Sequence, residues 1–193
     1  MKAITLQGFE AKFEGDADPW HTYTDADEAL KRDAILHALG SGPFGRVLEI
    51  AAGNGSNSIA LARRALRLDA TEATSSGTAL VERALDPYGR RTRALRLAVP
   101  ERFPRSSYDA IVLAELLYYL SSSDMARTAL NVAAALRLGG TLVLAHHRID
   151  FPDFVQHAAQ IQRRFLMASG RPWRTRIVRR TTHWIVVSAT PLP

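Results

Sequence analysis

A short apolar run that contains an acid leads into a glycine-rich turn in the stretch LEIAAGNGSNSIALA, residues 48–62. Glu49 stands four residues before Gly53, and Asn54 separates Gly53 from Gly55. Glycines after a buried strand let the backbone approach a ligand that a Cβ atom would repel. The stretch therefore predicts a small-molecule site at the carboxyl end of a first strand.

The charge of Glu49 distinguishes between two kinds of nucleotide cofactor. A dinucleotide-binding loop has the pattern G-x-G-x-x-G and holds a pyrophosphate at a helix N-terminus. Here Ser58 replaces the third glycine, and the carboxylate of Glu49 would repel a pyrophosphate. The same carboxylate suits an amine or a sulfonium. These features favour S-adenosylmethionine over a nicotinamide cofactor.

A second acid is expected at the end of the next strand, where it would bind a ribose. Glu72 lies 19 positions after Gly53, close to the spacing of about 20 residues found for such acids. Its carboxylate would accept hydrogen bonds from both ribose hydroxyls. Asp69 is the alternative, but it would lie within the strand, so we expect Glu72 to bind the ribose.

Two further strand ends carry side chains suited to proton transfer. Glu115 follows the apolar run IVLA with Tyr118 close behind, and His146 and His147 follow LVLA. An amine nucleophile needs a base or a hydrogen-bond acceptor, and histidine titrates near neutral pH. Because side chains alternate along a strand, the histidines are expected to face opposite ways, and we prefer His146 for the site. These groups lack the third ligand that a metal centre would need.

The elements that must position these residues alternate between strands and helices. This order predicts a Rossmann-like, doubly wound α/β fold with a mostly parallel seven-stranded sheet. The last two strands, within residues 173–190, have no helix between them and must pair as a hairpin, so one runs antiparallel. Residues 1–24 are predicted to be a polar arm and residues 25–193 a single domain. The other predicted strands are 46–51, 66–71, 92–97, 108–114 and 141–145, and the predicted helices are 25–39, 57–65, 78–85, 124–136 and 154–168.

Composition limits the class of protein. The chain has 193 residues and is 47% hydrophobic, which suits one domain with a sizeable core. It has no cysteine, and this excludes disulfides, thiolate catalysis and cysteine-ligated zinc. It lacks an apolar run that would span a bilayer or serve as a secretory signal, so we expect a cytoplasmic protein without a membrane partner.

The formal net charge of +6 raises the question of a nucleic-acid partner. Of the 25 basic residues 22 are arginine, and they are scattered in ones and twos. A basic stripe interleaved with base-stacking aromatic residues is missing. We therefore interpret the charge as a coding bias, and we expect a small-molecule or oligosaccharide acceptor rather than nucleic acid.

From Trp20 to the C-terminal hairpin the chain resembles the class I S-adenosylmethionine-dependent methyltransferases. SSYDAIVLAELLYYL, residues 106–120, resembles the fourth-strand motif of that family, and LRLGGTLVLAHHR, residues 136–148, resembles its helix, Gly-Gly turn and fifth strand. More narrowly, DPW, ELLYYL and HHR resemble the nodulation protein S group. Members of that group methylate the free amine of a deacetylated chitooligosaccharide.

The resemblance implies S-adenosylmethionine as methyl donor, with S-adenosylhomocysteine as product. It implies a small polar acceptor such as the amine of an amino sugar or of a chitooligosaccharide, and an arm that covers the cofactor. The predicted cofactor contacts are Trp20, Glu49, Ala51, Gly53, Asn54, Gly55, Glu72, Ala73, Val99 and Glu115. The predicted catalytic residues are Glu115, Tyr118, His146 and His147.

Other functions stay open at this point. The positive charge would suit methylation of RNA or protein, and a chain that had lost the chemistry would be a non-catalytic S-adenosylmethionine-binding module. Because the arm is short, we expect little cover over the cleft, so that an extended acceptor lies across its open edge. The residues do not indicate an oligomeric state.

Overall fold

The computed structural model describes residues 3–193 and contains seven strands and six α-helices in that part of the chain. The strands are β1 (Phe44–Ile50), β2 (Ala65–Glu72), β3 (Thr92–Arg96), β4 (Tyr108–Ala114), β5 (Leu136–His147), β6 (Trp173–Arg180) and β7 (Trp184–Pro191). The helices are α1 (Leu6–Gly15), α2 (Ala26–Leu39), α3 (Ser56–Ala62), α4 (Ser75–Leu85), α5 (Ser122–Ala135) and α6 (Ile161–Ala168), with 3₁₀ turns at Asp86–Arg91 and Leu117–Tyr119.

The strands form one sheet in the order β3-β2-β1-β4-β5-β7-β6. Strands β1 to β5 pair in parallel, whereas β7 is antiparallel to both β5 and β6. The predicted fold, with its antiparallel hairpin strand, is therefore confirmed. The strand order reverses between β1 and β4, and in such sheets a cleft opens at the carboxyl ends of the strands on either side of the reversal.

A hydrophobic core lies on each face of the sheet. Val47 and Leu48 are adjacent in β1 and both are fully buried, yet they belong to different cores because side chains alternate along a strand. The core of Val47 includes residues of α2, α3 and α4, and the core of Leu48 includes residues of α5 and α6. Among residues 3–193, none of the helices is both long and apolar enough to cross a membrane.

The helix predicted over residues 154–168 is shorter than expected, because α6 begins only at Ile161. Before it, the backbone N–H groups of Val155 and Gln156 both donate to the carbonyl oxygen of Tyr118, at 2.8 and 3.0 Å. These bonds bind the segment to the turn after β4 instead of to its own helix. The periodicity of the sequence does not reveal such a competing partner.

Strand β5 begins at Leu136, before the predicted start of the strand at residue 141. Gly139 and Gly140, which the resemblance assigns to a turn before the fifth strand, lie inside the strand. Gly139 has a φ of +78°, and a Cβ atom on Gly140 would lie 3.0 Å from the carbonyl oxygen of Asp109. The glycines therefore permit an irregularity at the start of β5, where the pairing with β4 changes register.

The N-terminal arm contains a helix, α1, that the sequence analysis does not predict. Its Glu10 carboxylate accepts hydrogen bonds from the backbone N–H groups of Ser75 and Ser76 at the start of α4, at 2.7 and 2.8 Å. This contact fixes α1 across the carboxyl edge of the sheet. The expectation of a cleft with little cover is therefore wrong on this side.

Candidate functional site

A cavity of about 530 Å³ lies at the carboxyl ends of the central strands, beneath α1. Its size is within the range of small-molecule sites, about 300–1,000 Å³. Of the predicted cofactor contacts, those that line it are Trp20, Ala51, Gly53, Asn54, Glu72, Ala73, Val99 and Glu115. Of the predicted catalytic residues, those that line it are Glu115, Tyr118 and His147.

The turn after β1 owes its shape to three residues with positive φ. Ala51, Gly53 and Gly55 have φ values of +58°, +61° and +87°. A Cβ atom on Gly55 would lie 2.8 Å from the Cβ of Ala84, so this glycine lets α3 start close against α4. Gly55 lies outside the set of described residues that line the cavity, and it shapes the turn from behind.

Asn54 connects the same turn to the N-terminal arm. Its amide nitrogen donates to Oδ1 of Asp18 at 2.8 Å and to the hydroxyl of Thr22 at 2.9 Å. Asp18 Oδ1 also accepts from the backbone N–H of Thr22 at 2.7 Å. The arm is thus held to the glycine turn as well as to α4.

Glu72 presents a buried carboxylate to the cavity. It accepts hydrogen bonds from the backbone N–H of Gly53 and of Thr74, both at 3.1 Å, and from the Thr74 hydroxyl at 3.0 Å. Burial raises the pKa of Glu72, although the bonds from Thr74 and Gly53 oppose the rise. Asp69, the alternative, instead receives two hydrogen bonds from Arg93, at 2.8 and 2.6 Å. Of these two acids in β2, Glu72 is therefore the one that a ligand in the cavity can reach.

Glu49 lies below the glycine turn and outside the described cavity lining. Its side chain is buried and accepts a 2.5 Å hydrogen bond from the hydroxyl of Ser58. Burial raises the pKa of Glu49 to about 8 against the lowering effect of Ser58, and the charge of Glu72 adds to the rise. Ser58, the residue that departs from the dinucleotide pattern, is thus the partner of this acid. A contact between Glu49 and the cofactor stays a prediction.

Glu115 lies at the opposite end of the cavity with a strained backbone, at a φ of +52°. Its carboxylate accepts hydrogen bonds from Lys31 Nζ at 2.7 Å, from the Tyr118 hydroxyl, and from the backbone N–H of His147 at 3.3 Å. Burial alone would raise its pKa, but the Lys31 ammonium first, and the nearby histidines next, hold the pKa of Glu115 below its usual value. Glu115 is therefore a well-bonded carboxylate at neutral pH.

The two histidines at the end of β5 face opposite sides of the sheet. His147 lines the cavity, with Nε2 3.8 Å from a carboxylate oxygen of Glu115. His146 is fully buried on the other side, where Nε2 accepts the backbone N–H of Leu117 at 3.3 Å, and burial lowers its pKa to about 4. The structure thus places His147 at the cavity and contradicts our preference for His146, because alternation alone does not say which residue points inward.

Lys31 is a cavity residue that the sequence analysis missed. Only 3% of it is exposed, and its Nζ lies 2.7 Å from carboxylate oxygens of both Glu28 and Glu115. Burial would lower the pKa of Lys31, but the two carboxylates outweigh burial and raise it. A Glu and a Lys three positions apart on a helix usually form an exposed pair, so the sequence carries no signal that this lysine is internal.

Aromatic side chains form the roof of the cavity. Phe13 lies edge-on to Trp20 with ring centres 5.3 Å apart, and Phe9 lies edge-on to Tyr119 at 4.9 Å. All four line the cavity. Such a wall excludes water and presents ring faces that attract cations.

In the part of the chain that the structure describes, no group of three or more His, Cys, Asp and Glu residues could hold a metal ion.

Comparisons with known proteins connect this geometry to one fold. Residues 47–140 match a family model described as a methyltransferase domain. A search of curated proteins gives no match. The N-methyltransferase NodS from Bradyrhizobium japonicum WM9, solved with S-adenosylhomocysteine, is similar in structure with a TM-score of 0.79 and 18% identity, over 96% of this chain and 97% of that chain.

A second structural neighbour was also solved with cofactor molecules. The DhpI–S-adenosylhomocysteine complex gives a TM-score of 0.72 at 18% identity, over 97% of this chain and 95% of that chain. A DhpI complex described as containing S-adenosylmethionine gives 0.72 at 19% identity, over 96% and 95%. These likenesses show the fold, and together with the domain match they support S-adenosylmethionine as the cofactor.

Proposed function

We infer that this chain, with a class I methyltransferase fold and a methyltransferase domain match over residues 47–140, transfers a methyl group from S-adenosylmethionine to the amine of a small polar acceptor. The observation that carries the inference is a single cavity with Glu72 at one end and Glu115 beside His147 at the other. One end suits a ribose, and the other suits an amine that must lose a proton.

The residues at the first end fit the cofactor. Glu72 is buried beside the cavity, and its Oε2, which accepts the backbone N–H of Gly53, keeps a lone pair for a ribose hydroxyl. Ala73 and Val99 would supply apolar surface for an adenine ring, and Trp20 lines the same cavity. When bound, the cofactor supplies an electrophilic methyl group on a sulfonium. The chain then has to align the acceptor with that group and exclude water.

At the second end, His147 is better suited than Glu115 to accept the proton of the amine. The Glu115 carboxylate already accepts bonds from Lys31, Tyr118 and His147, and its lowered pKa makes it a weak base. His147 Nε2 lies 3.8 Å from that carboxylate, which can pair with the ring once it carries the proton. We assign proton acceptance to His147, and we assign the positioning of the acceptor and of His147 to Glu115 with Tyr118.

The amine of an amino sugar or of a chitooligosaccharide is the acceptor class that we propose. The cavity lining combines Glu115, beside His147, with the rings of Phe9 and Tyr119, and an acid together with aromatic rings suits an amine. The neighbour NodS is described as an N-methyltransferase. Because α1 covers the cavity, only the amine-bearing end of an oligosaccharide would enter.

Calorimetric titration with S-adenosylmethionine and S-adenosylhomocysteine tests the cofactor site. We expect the wild type to bind both and Glu72→Ala to lose at least about tenfold in affinity, since it removes acceptors for charge-assisted hydrogen bonds. Glu82→Ala, which removes an exposed acid from α4 outside the cavity lining, is the control and should bind normally. Lack of binding by the wild type would overturn the proposed function.

Transfer of labelled methyl groups tests the acceptor. Glucosamine oligomers should be methylated, and their N-acetylated counterparts should not, because an amide nitrogen is not a nucleophilic amine. Equal labelling of the two, or labelling of neither while S-adenosylmethionine binds, would contradict the proposed acceptor class.

A further inference from the structure

We propose that Glu28 and Lys31 form the subsite for the amino-acid end of S-adenosylmethionine, with Lys31 holding the α-carboxylate and Glu28 the α-ammonium group. This inference rests on the proposed function. It differs from the sequence-based expectation, which gives the amine to Glu49.

The pair lies on the first two turns of α2 and both members line the cavity. Lys31 Nζ is 2.7 Å from Glu28 Oε1, and the side chains of Lys31 and Glu28 are 4% and 24% exposed. The ammonium and carboxylate groups of an α-amino acid are themselves adjacent. Two opposite charges in contact on a cavity wall are therefore complementary to that zwitterion.

Each member of the pair keeps hydrogen-bonding capacity after its contacts within the protein are counted. A lysine ammonium has three N–H donors, and Glu28 and Glu115 use two of them. Glu28 contributes Oε1 to Lys31, and its Oε2 has no hydrogen-bond partner among residues 3–193. A zwitterion would use the remaining donor and the remaining acceptor together.

The position of Glu49 supports the reassignment. Its carboxyl is behind the glycine turn, is only 3% exposed and is bonded to Ser58. An amine inside the cavity would reach Glu28, which is part of the wall, without passing through the turn. Lys31 also contacts Glu115, so the same ammonium joins the cofactor end of the cavity to the acceptor end.

A comparison of two ligands isolates this subsite from the rest of the cofactor site. S-adenosylhomocysteine carries the amino-acid end, whereas 5′-methylthioadenosine lacks it and keeps the adenosine. We expect Lys31→Gln and Glu28→Gln each to weaken S-adenosylhomocysteine by roughly ten- to a hundredfold, the range for a lost charge-assisted bond. Binding of 5′-methylthioadenosine should be unchanged in both variants and also reports that the site is folded. Glu72→Ala, in contrast, should weaken both ligands.

Decarboxylated S-adenosylmethionine separates the two members of the pair. It keeps the amine, so Glu28→Gln should weaken it, and Lys31→Gln should not. Glu28→Gln also keeps the Lys31–Glu115 contact, and so it remains informative if Lys31→Gln is too unstable to purify.

Three outcomes would overturn the proposal. Equal weakening of S-adenosylhomocysteine and 5′-methylthioadenosine in both variants would show a purely structural role. Unchanged affinity for S-adenosylhomocysteine would place the amino-acid end elsewhere while the proposed function stands. Absence of binding of either ligand to the wild type would overturn the subsite and the proposed function together.

Discussion

The buried carboxyl group of Glu49 makes the stability of the free protein depend on pH. Its pKa is raised from 4.5 to about 8 in the folded chain, chiefly by burial. Between these values the folded protein holds a proton that the unfolded chain has lost, so raising the pH favours unfolding. The stabilising contribution of the protonated Glu49 carboxyl group is complete below pH 4.5 and is lost progressively as the pH rises to about 8.

Replacing this acid with its neutral isostere should remove that dependence. In denaturant unfolding without cofactor, Glu49→Gln should be more stable than wild type at about pH 9, by on the order of a few kcal/mol, because one pKa unit is worth about 1.4 kcal/mol. At about pH 5 the two proteins should be nearly equal, since the carboxyl is then protonated in the fold. Glu101→Gln, at an exposed acid, is the control and should follow wild type. Parallel stability curves for Glu49→Gln and wild type would refute the assigned pKa.

At the residue scale, the sequence predicts which side chain reaches the cavity when the position of that residue along its strand decides the matter. Glu72 is preferred over Asp69 because it ends its strand, and the structure places Glu72 in the lining and Asp69 against Arg93. The choice between His146 and His147 depends on which face of β5 turns toward the cavity, and a one-residue shift reverses the answer. No local pattern contains that information.

At the scale of elements, we expect the contact of α1 with α4 to control access to the cavity. The first N–H groups of a helix lack partners within the helix and favour a negative charge. Glu10 of α1 supplies that charge to Ser75 and Ser76, and these bonds lower the pKa of Glu10. Because α1 roofs the cavity, we expect a cofactor to enter and leave faster when this contact is loosened.

Weakening the contact should therefore accelerate cofactor exchange. We expect Glu10→Gln to release S-adenosylhomocysteine several-fold faster than wild type in stopped-flow displacement, with a faster association as well. Glu14→Gln removes an exposed charge from the same helix and should leave both rates unchanged. Equal rates for Glu10→Gln and wild type would mean that α1 does not gate the site.

The sequence contains a signal for α1 that the prediction of a polar arm over residues 1–24 overlooks. Leu6, Phe9 and Phe13 recur at helical spacing, and Thr5 caps the helix by accepting the N–H of Gly8 at 3.2 Å. By contrast, the late start of α6 depends on the carbonyl oxygen of Tyr118, a partner from a distant part of the chain. Local patterns predict elements well, but not where a tertiary hydrogen bond shortens them.

For the whole molecule, the arginines of β6 suggest a role for part of the net charge of +6. This strand is at the edge of the sheet, so its outer backbone groups are free to pair with another chain. Charged side chains on an edge strand oppose such pairing. Arg174 and Arg176 are exposed on one face of the strand. Ile177, which is 56% exposed, lies on the other face. This location favours a protective role over a nucleic-acid surface.

Removing these charges should convert the edge into a site of self-association. Arg174→Thr combined with Arg176→Thr keeps residues that favour strands and removes two of the four arginines of β6, next to the exposed Ile177. We expect this variant to elute as concentration-dependent oligomers in size-exclusion chromatography with light scattering. The control, Arg83→Gln with Arg163→Gln, removes the same charge from exposed helix positions and should elute like wild type. If both variants associate equally, the net charge rather than the edge strand prevents self-association. If neither associates, the arginines of β6 do not protect the edge.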